Sequence, residues 1–128
     1  MNEQTNTIDD VLTIGVPVSD QDRALQFYLD KLGFEKRRDV PLPQFGGRWI
    51  EVAPEGASVT IALVPARDEA PSGVQTGIRL KTADAAAIHD ALEANGVEVG
   101  ELLRWPGVPA MFAVSDQDGN RLEIVEAA

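Results

Sequence analysis

The C-terminal segment DQDGNRLEIVE, residues 116–126, places a carboxylate between two aliphatic residues of a predicted strand. Because side chains alternate between the faces of a strand, Arg121 and Glu123 share one face while Leu122 and Ile124 share the other. A carboxylate on such a face is a metal ligand, a solvated side chain or the remnant of a lost site. The other residues that reach the same face decide among these roles.

A second group of residues with binding chemistry lies in the segment RWIEVA, residues 48–53. Trp49 and Glu51 alternate with Ile50 and Val52, and the purely apolar pair belongs against a helix. The indole and the carboxylate are therefore expected on the opposite, open face. An indole there suits stacking on a planar or cationic ligand, although aromatic side chains also serve as core residues.

Three further aromatic side chains lie in or beside predicted loops. Phe45 belongs to the segment PQFGG, whose glycines allow movement, and Trp105 lies in the proline-rich turn LLRWPGVPA. Phe112 follows on the next predicted strand. We predict that all three contact a ligand near the mouth of the site, with packing in the core as the alternative.

Size and charge restrict the classes of function. A chain of 128 residues suffices for one domain that buries about two-thirds of its unfolded surface. The lack of cysteine removes disulfides and thiolate chemistry and leaves the redox compartment open. A formal charge of −10 disfavours nucleic acid and anionic membranes and would attract a cationic small molecule, although surplus carboxylates also promote solubility.

The N-terminus MNEQTNTIDD is polar and acidic and has no signal-peptide pattern. No later apolar run is long enough to span a bilayer. These features predict a cytoplasmic protein with no membrane partner.

Two segments, SDQDRALQFYLDKLGFE and TADAAAIHDALEANGVE, repeat one pattern. Each has an N-cap candidate (Ser19 and Thr82), an apolar helical stripe and a terminating glycine (Gly33 and Gly96). The stripes consist of Ala24, Leu25, Tyr28, Leu29 and Leu32 in the first segment and Ala85, Ile88, Ala91 and Leu92 in the second. The two glycines lie 63 residues apart, about half the chain, which indicates an internal repeat.

Each predicted helix is preceded by one predicted strand and followed by three, so the repeating unit is βαβββ. The strands are VLTIGVPV, FEKRRDV, RWIEVA and SVTIALV in the first half and VQTGIRLK, VEVGELL, AMFAVS and RLEIVE in the second. We predict a flexible tail over residues 1–9, modules over 10–66 and 74–128, and a linker over 67–73. Two coincidentally similar helices in an ordinary α+β fold are the alternative.

The chain resembles the vicinal oxygen chelate superfamily of glyoxalases, bleomycin-resistance proteins and extradiol dioxygenases. One part of the resemblance is VPVSDQDRALQFYLDKLGFE, with Asp20, the Phe27-Tyr28 pair and the Leu32-Gly33-Phe34 triplet. The other is DQDGNRLEIVE, which is similar to the Asp-Pro-Asp-Gly-Asn turn and strand of the family, with Gln117 in place of the proline. The match covers nearly the whole chain and is specific for the fold but not for an activity.

The resemblance implies an α+β fold in which two βαβββ modules form a curved mixed sheet, a cup that holds a ligand. The helices are expected to cover its convex side. It also implies a homodimer, in which the cup closes either within one chain or with the partner.

In metal-dependent members of the family, four side chains from the first and last strands of the modules hold a divalent ion. The corresponding positions in this chain are Thr13, Ala62, Gly77 and Glu123. Only Glu123 is a competent ligand, and an ion that polarises a substrate needs several imidazole or carboxylate donors. The expectation is therefore a site with no metal and no cofactor, in which Thr13 contacts the ligand instead.

Without a metal, Glu123 needs another partner. Arg79 is expected on the same face of the neighbouring strand, where it would neutralise a buried carboxylate; a solvated Glu123 is the alternative. The single histidine, His89, lies on the second predicted helix and is expected to face away from the cup.

Three functions are compatible with these residues. The first is sequestration of a small organic ligand, such as an antibiotic, by Thr13, Phe45, Trp49, Glu51, Arg79, Trp105, Phe112 and Glu123. The second is a lyase, isomerase or dioxygenase in which Glu123, Glu51 or Arg79 carries proton transfer. The third is a domain that binds only a protein partner.

Overall fold

The computed structural model describes residues 6–128, except for the side chain of Phe45. The elements are β1 (Thr13–Val18), α1 (Gln21–Asp30), β2 (Glu35–Leu42), a 3-10 turn (Pro43–Phe45), β3 (Gly47–Ala53), β4 (Thr60–Pro65), β5 (Gln75–Thr82), α2 (Ala85–Ala94), β6 (Met111–Ser115) and β7 (Arg121–Glu126). Within these residues, neither helix is long and apolar enough to cross a membrane.

The strands form two mixed sheets, and the α+β architecture predicted from the repeat is confirmed. The first sheet has the order β1-β4-β3-β2 and the second β5-β7-β6. In each sheet the first strand of the module pairs in parallel with the last strand, β1 with β4 and β5 with β7. The remaining pairs are antiparallel. β1 and β5 are therefore outer strands of their sheets, as are β2 and β6 at the opposite ends, and within the described residues β1 and β5 each pair with one strand only.

The second module departs from the predicted unit because VEVGELL forms no regular strand. Only two isolated bridges, Val99 to Val114 and Leu103 to Met111, connect this segment to β6. Between them, the Gly100 carbonyl turns toward the His89 ring, whose Nε2 lies 3.0 Å away. The Gly100 N–H still donates to the Ala113 carbonyl of β6 at 2.8 Å, so the segment lies beside β6 without extending the sheet regularly.

The N-caps of the two helices lie one and two residues later than the predicted caps Ser19 and Thr82. The Asp20 carboxylate caps α1 by accepting from the backbone N–H groups of Asp22 and Arg23, and Asp84 caps α2. Ser19 is not the cap because its hydroxyl donates to Asp118 at 2.6 Å, and Thr82 is still part of β5. The predicted left-handed backbone after each helix is present, with φ of 74° at Gly33 and 81° at Gly96.

One core lies between the helices and the sheets. It contains the alternate strand residues predicted to face the helices, including Ile50, Val52, Leu122 and Ile124, and the α1 residues Ala24 and Tyr28. Burial of these aliphatic and aromatic groups is the main stabilising contribution. The opposite faces of both sheets are left for polar side chains.

The turn between β6 and β7 joins the two modules. Asn120 is fully buried; its side-chain N–H₂ donates to the Pro17 carbonyl of β1 at 2.8 Å and its oxygen accepts from the N–H groups of Gly73 and Val74. The buried Asp116 carboxylate accepts from the Tyr28 hydroxyl of α1 at 2.8 Å. The DQDGN segment forms the predicted turn, and its polar side chains hold the modules together.

Candidate functional site

On the polar face of the first sheet, four side chains form one hydrogen-bonded group. The Trp49 indole N–H donates to the Glu51 carboxylate at 2.6 Å, and the Thr60 hydroxyl lies 2.9 Å from the other carboxylate oxygen. The hydroxyls of Thr13 and Thr60 are 2.7 Å apart, since these residues are paired across β1 and β4. Both oxygens of Glu51 thus have a donor, which fixes the carboxylate and the plane of the indole.

Strand alternation placed Trp49 and Glu51 on one face, and the family resemblance singled out Thr13; Thr60, which the structure brings to both, was not predicted. The parallel pairing of β1 with β4 brings Thr60 opposite Thr13, and that register is not apparent from either segment alone. The Thr60 hydroxyl has one proton, which it donates to the Glu51 carboxylate, and its oxygen can in turn accept from the Thr13 hydroxyl. Its role is to connect the two predicted residues.

On the polar face of the second sheet, Arg79 and Glu123 are directly opposite each other on β5 and β7. The Arg79 Nε lies 3.3 Å from a Glu123 oxygen, with side-chain exposures of 66% and 38%. The predicted ion pair is present, but the expectation of a buried Glu123 is wrong because solvent reaches both groups. An exposed pair of this kind adds little stability, so its value lies in orienting the two side chains.

Two cavities open on this second face. The β5–β7 cavity, of about 260 Å³, includes Gln75, Thr76, Gly77, Arg79, Arg121 and Glu123 in its lining. The β6–β7 cavity, of about 220 Å³, includes Gly100, Glu101, Leu103, Met111, Arg121 and Glu123. Both are lined by second-module residues alone, and Arg121 and Glu123 belong to both.

The remaining predicted contacts have different locations. Only 1% of Phe112 is exposed and its ring packs edge-on against His89 in the core, with the centroids 4.9 Å apart, but the residue also belongs to the lining of the β6–β7 cavity, so its contact with a ligand stays a prediction. The alternation of side chains along β6 directs Phe112 toward α2. Trp105 is 59% exposed in the loop before β6, and the side chain of Phe45 lies outside the described part of the chain.

The four positions that correspond to metal ligands do not fit a divalent ion. Ala62 and Gly77 have no side-chain donor, and Gly77 has a φ of 76°, which disfavours any other residue there. The Thr13 hydroxyl lies within hydrogen-bonding distance of both the Thr60 carbonyl and the Thr60 hydroxyl, and Glu123 faces Arg79. One carboxylate beside a guanidinium is a poor donor set for a metal ion.

His89 lies on the helix side of the second sheet, away from both polar faces. Its Nδ1 is 3.2 Å from an Asp90 oxygen and its Nε2 is 3.0 Å from the Gly100 carbonyl, so both ring nitrogens face acceptors. Within residues 6–128, His89, Asp90 and Glu93 form the one cluster of three potential metal-ligand side chains. The His89 ring nitrogens are already engaged, and the ring positions the Gly100 segment that lines the β6–β7 cavity.

Protonation of His89 is expected to stabilise this arrangement. The Asp90 carboxylate, assisted by the Gly100 carbonyl and the charge of Glu93, raises the pKa of His89, although burial opposes the shift. The stabilisation is therefore complete below the unfolded-state pKa of about 6.5 and is lost as the pH rises through the higher folded-state pKa. NMR titration of the single histidine is expected to give a midpoint above about 6.5 that falls in Asp90→Asn. An unshifted midpoint would contradict this role.

Comparisons with known proteins extend these observations. The family model for the Glyoxalase/Bleomycin resistance protein/Dioxygenase superfamily matches residues 8–124. The chain is 34% identical to TnmS3, an antibiotic binding protein from Streptomyces sp. CB03234, over 95% of this chain and 98% of that one, with a TM-score of 0.85. A superfamily member from Sphaerobacter thermophilus DSM 20745 is also 34% identical, over 94% and 98% of the two chains, with a TM-score of 0.85. Bacillus subtilis (strain 168) YetH is 33% identical over 88% of this chain and 94% of its own.

Proposed function

Since this chain belongs to the Glyoxalase/Bleomycin resistance protein/Dioxygenase superfamily, we propose that it binds a small organic molecule, such as an antibiotic, in a metal-free site and sequesters it in the cytoplasm. The observation that carries the proposal is the combination of a fixed indole at Trp49 with a metal-ligand position, Glu123, that is paired with Arg79. A fixed aromatic plane binds a planar molecule with little loss of side-chain entropy. The similarity to TnmS3 supports an antibiotic as the ligand.

We propose further that the site is shared between two copies of the chain. The Trp49 and Glu51 group lies on the first sheet, whereas the cavities beside Arg79 and Glu123 are lined by the second. β1 and β5 each leave one edge unpaired among the described residues, and an unpaired edge is a natural place for association. Three apolar residues before β1 are also exposed, with Ile8 at 98%, Val11 at 58% and Leu12 at 79%.

Light scattering on the purified protein tests this arrangement. A dimer would have twice the 13.8 kDa mass of one chain. A monomer at micromolar concentration that still binds ligand would show that one chain is sufficient.

An enzyme of the same superfamily is the second candidate, since Glu51 and Glu123 are carboxylates with solvent access or fixed geometry. The two functions are distinguished by the fate of the ligand. Planar aromatic antibiotics are incubated with the protein, and ultrafiltration retains the bound fraction. The protein is then denatured, and the molecular mass of the released compound is measured by mass spectrometry. Sequestration predicts an unchanged mass, while a changed mass that Glu123→Gln prevents without loss of binding would establish catalysis.

A further inference from the structure

The β5–β7 cavity differs from an ordinary apolar ligand pocket because polar groups surround it. Its lining includes the amide of Gln75, the hydroxyl of Thr76 and the charged side chains of Arg79, Arg121 and Glu123. At Gly77 an added Cβ would meet no atom within 4 Å, so the space above the strand is open there. A polar group of a ligand therefore has room to approach the strand backbone at this point.

The charges that line this cavity do not cancel. Arg79 faces Glu123 at 3.3 Å, whereas Arg121 is exposed and has no carboxylate of residues 6–128 within ion-pairing distance. The cavity thus has two guanidinium groups and one carboxylate. Glu101 lines only the neighbouring β6–β7 cavity. This local positive charge is opposite in sign to the formal charge of −10 on the whole chain.

We propose that the β5–β7 cavity binds an acidic substituent of an aromatic ligand, a carboxylate, sulfonate, phosphate or phenolate, through Arg121. The inference rests on the proposed function and specifies its ligand class. A guanidinium presents several N–H donors in one plane and matches such anions closely. Glu123 holds Arg79 beside the same anion, so that the ion pair has an orienting role and Arg121 makes the primary contact.

Two matched probes test the inference, 8-anilinonaphthalene-1-sulfonate and its uncharged counterpart N-phenyl-1-naphthylamine. They share the same pair of aromatic groups and differ in the sulfonate. Arg121→Gln is expected to weaken binding of the sulfonate about tenfold, the effect of one lost charged hydrogen bond, and to change binding of the neutral probe less than about twofold. Arg121→Lys keeps the charge and is expected to retain most of the affinity for the sulfonate.

Arg67→Gln is the control, because it removes the same charge from the exposed linker, where Arg67 lies near Glu69. It is expected to leave both affinities unchanged. Equal affinities of the wild type and Arg121→Gln for the sulfonate, or equal losses for both probes, would overturn the inference while leaving the proposed function intact. Failure of the wild-type protein to bind either probe would contradict the proposed function and this inference with it.

Discussion

Asn120→Ala is expected to lower the free energy of unfolding by about 2–4 kcal/mol, because it removes several hydrogen bonds at the junction of the modules. The Asn120 side chain is bonded to the Pro17 carbonyl, to two backbone N–H groups of the linker and to Asp116. Alanine leaves these groups without their partner. Those that remain buried then lose the free energy of solvation without compensation.

Chemical denaturation of wild type and variant measures this difference. Asn95→Ala is the matched control, since Asn95 is an exposed residue at the C-terminus of α2 and is expected to change stability by less than about 0.5 kcal/mol. Equal stability of Asn120→Ala and Asn95→Ala would show that the turn does not hold the modules together.

Trp49→Ala is expected to weaken binding of the neutral probe N-phenyl-1-naphthylamine at least tenfold, or by about 1.4 kcal/mol. The hydrogen bond to Glu51 fixes the Trp49 indole, so the side chain loses little conformational entropy when a ligand stacks on it. Alanine removes the stacking surface and one of the two donors that hold the Glu51 carboxylate. Fluorescence titration of the probe gives both affinities.

Trp105→Ala provides the comparison within the same chain. Trp105 is 59% exposed in a loop, so binding must order its side chain at a cost in conformational entropy. Its loss is therefore expected to weaken binding of the probe only about threefold. A larger loss of affinity in Trp105→Ala than in Trp49→Ala would show that the ligand binds at the loop and not on the face of the first sheet.

The fold was accessible from the sequence because its determinants are local. Helical stripes, the glycines after each helix and strand alternation depend on neighbours within a few residues. They correctly predicted two helices and seven of the eight strands. The eighth, VEVGELL, makes only two isolated bridges, and its Gly100 carbonyl faces His89, eleven residues away along the chain and on another element. Neither segment contains a signal for that contact.

The site was only partly accessible, for the same physical reason. Alternation within one strand placed Trp49 with Glu51, and strand order placed Arg79 opposite Glu123. The contribution of Thr60 depends on the β1–β4 register, which is set by packing of the whole module. Packing between elements also decides the place of Phe112, whose ring contacts His89 of α2 in the core while the residue borders the β6–β7 cavity; its contact with a ligand stays a prediction.

The family signature also has a structural meaning. The turn that resembles the family motif uses Asp116 and Asn120 to bind α1, β1 and the linker, and neither side chain reaches a cavity lining described above. Such residues specify how two modules are joined. They are accordingly informative about the fold and uninformative about the ligand.

Binding of 8-anilinonaphthalene-1-sulfonate to protein dialysed against EDTA tests the central claim, that a ligand is held by aromatic stacking, hydrogen bonds and charge without a metal ion. The dissociation constant is measured on the stripped protein and again after one equivalent of zinc, nickel, manganese or iron(II) is added. We expect the two values to agree within about twofold, because Glu123 beside Arg79 is a poor ligand set. Binding that is absent from the stripped protein and restored by one of these ions would contradict the claim.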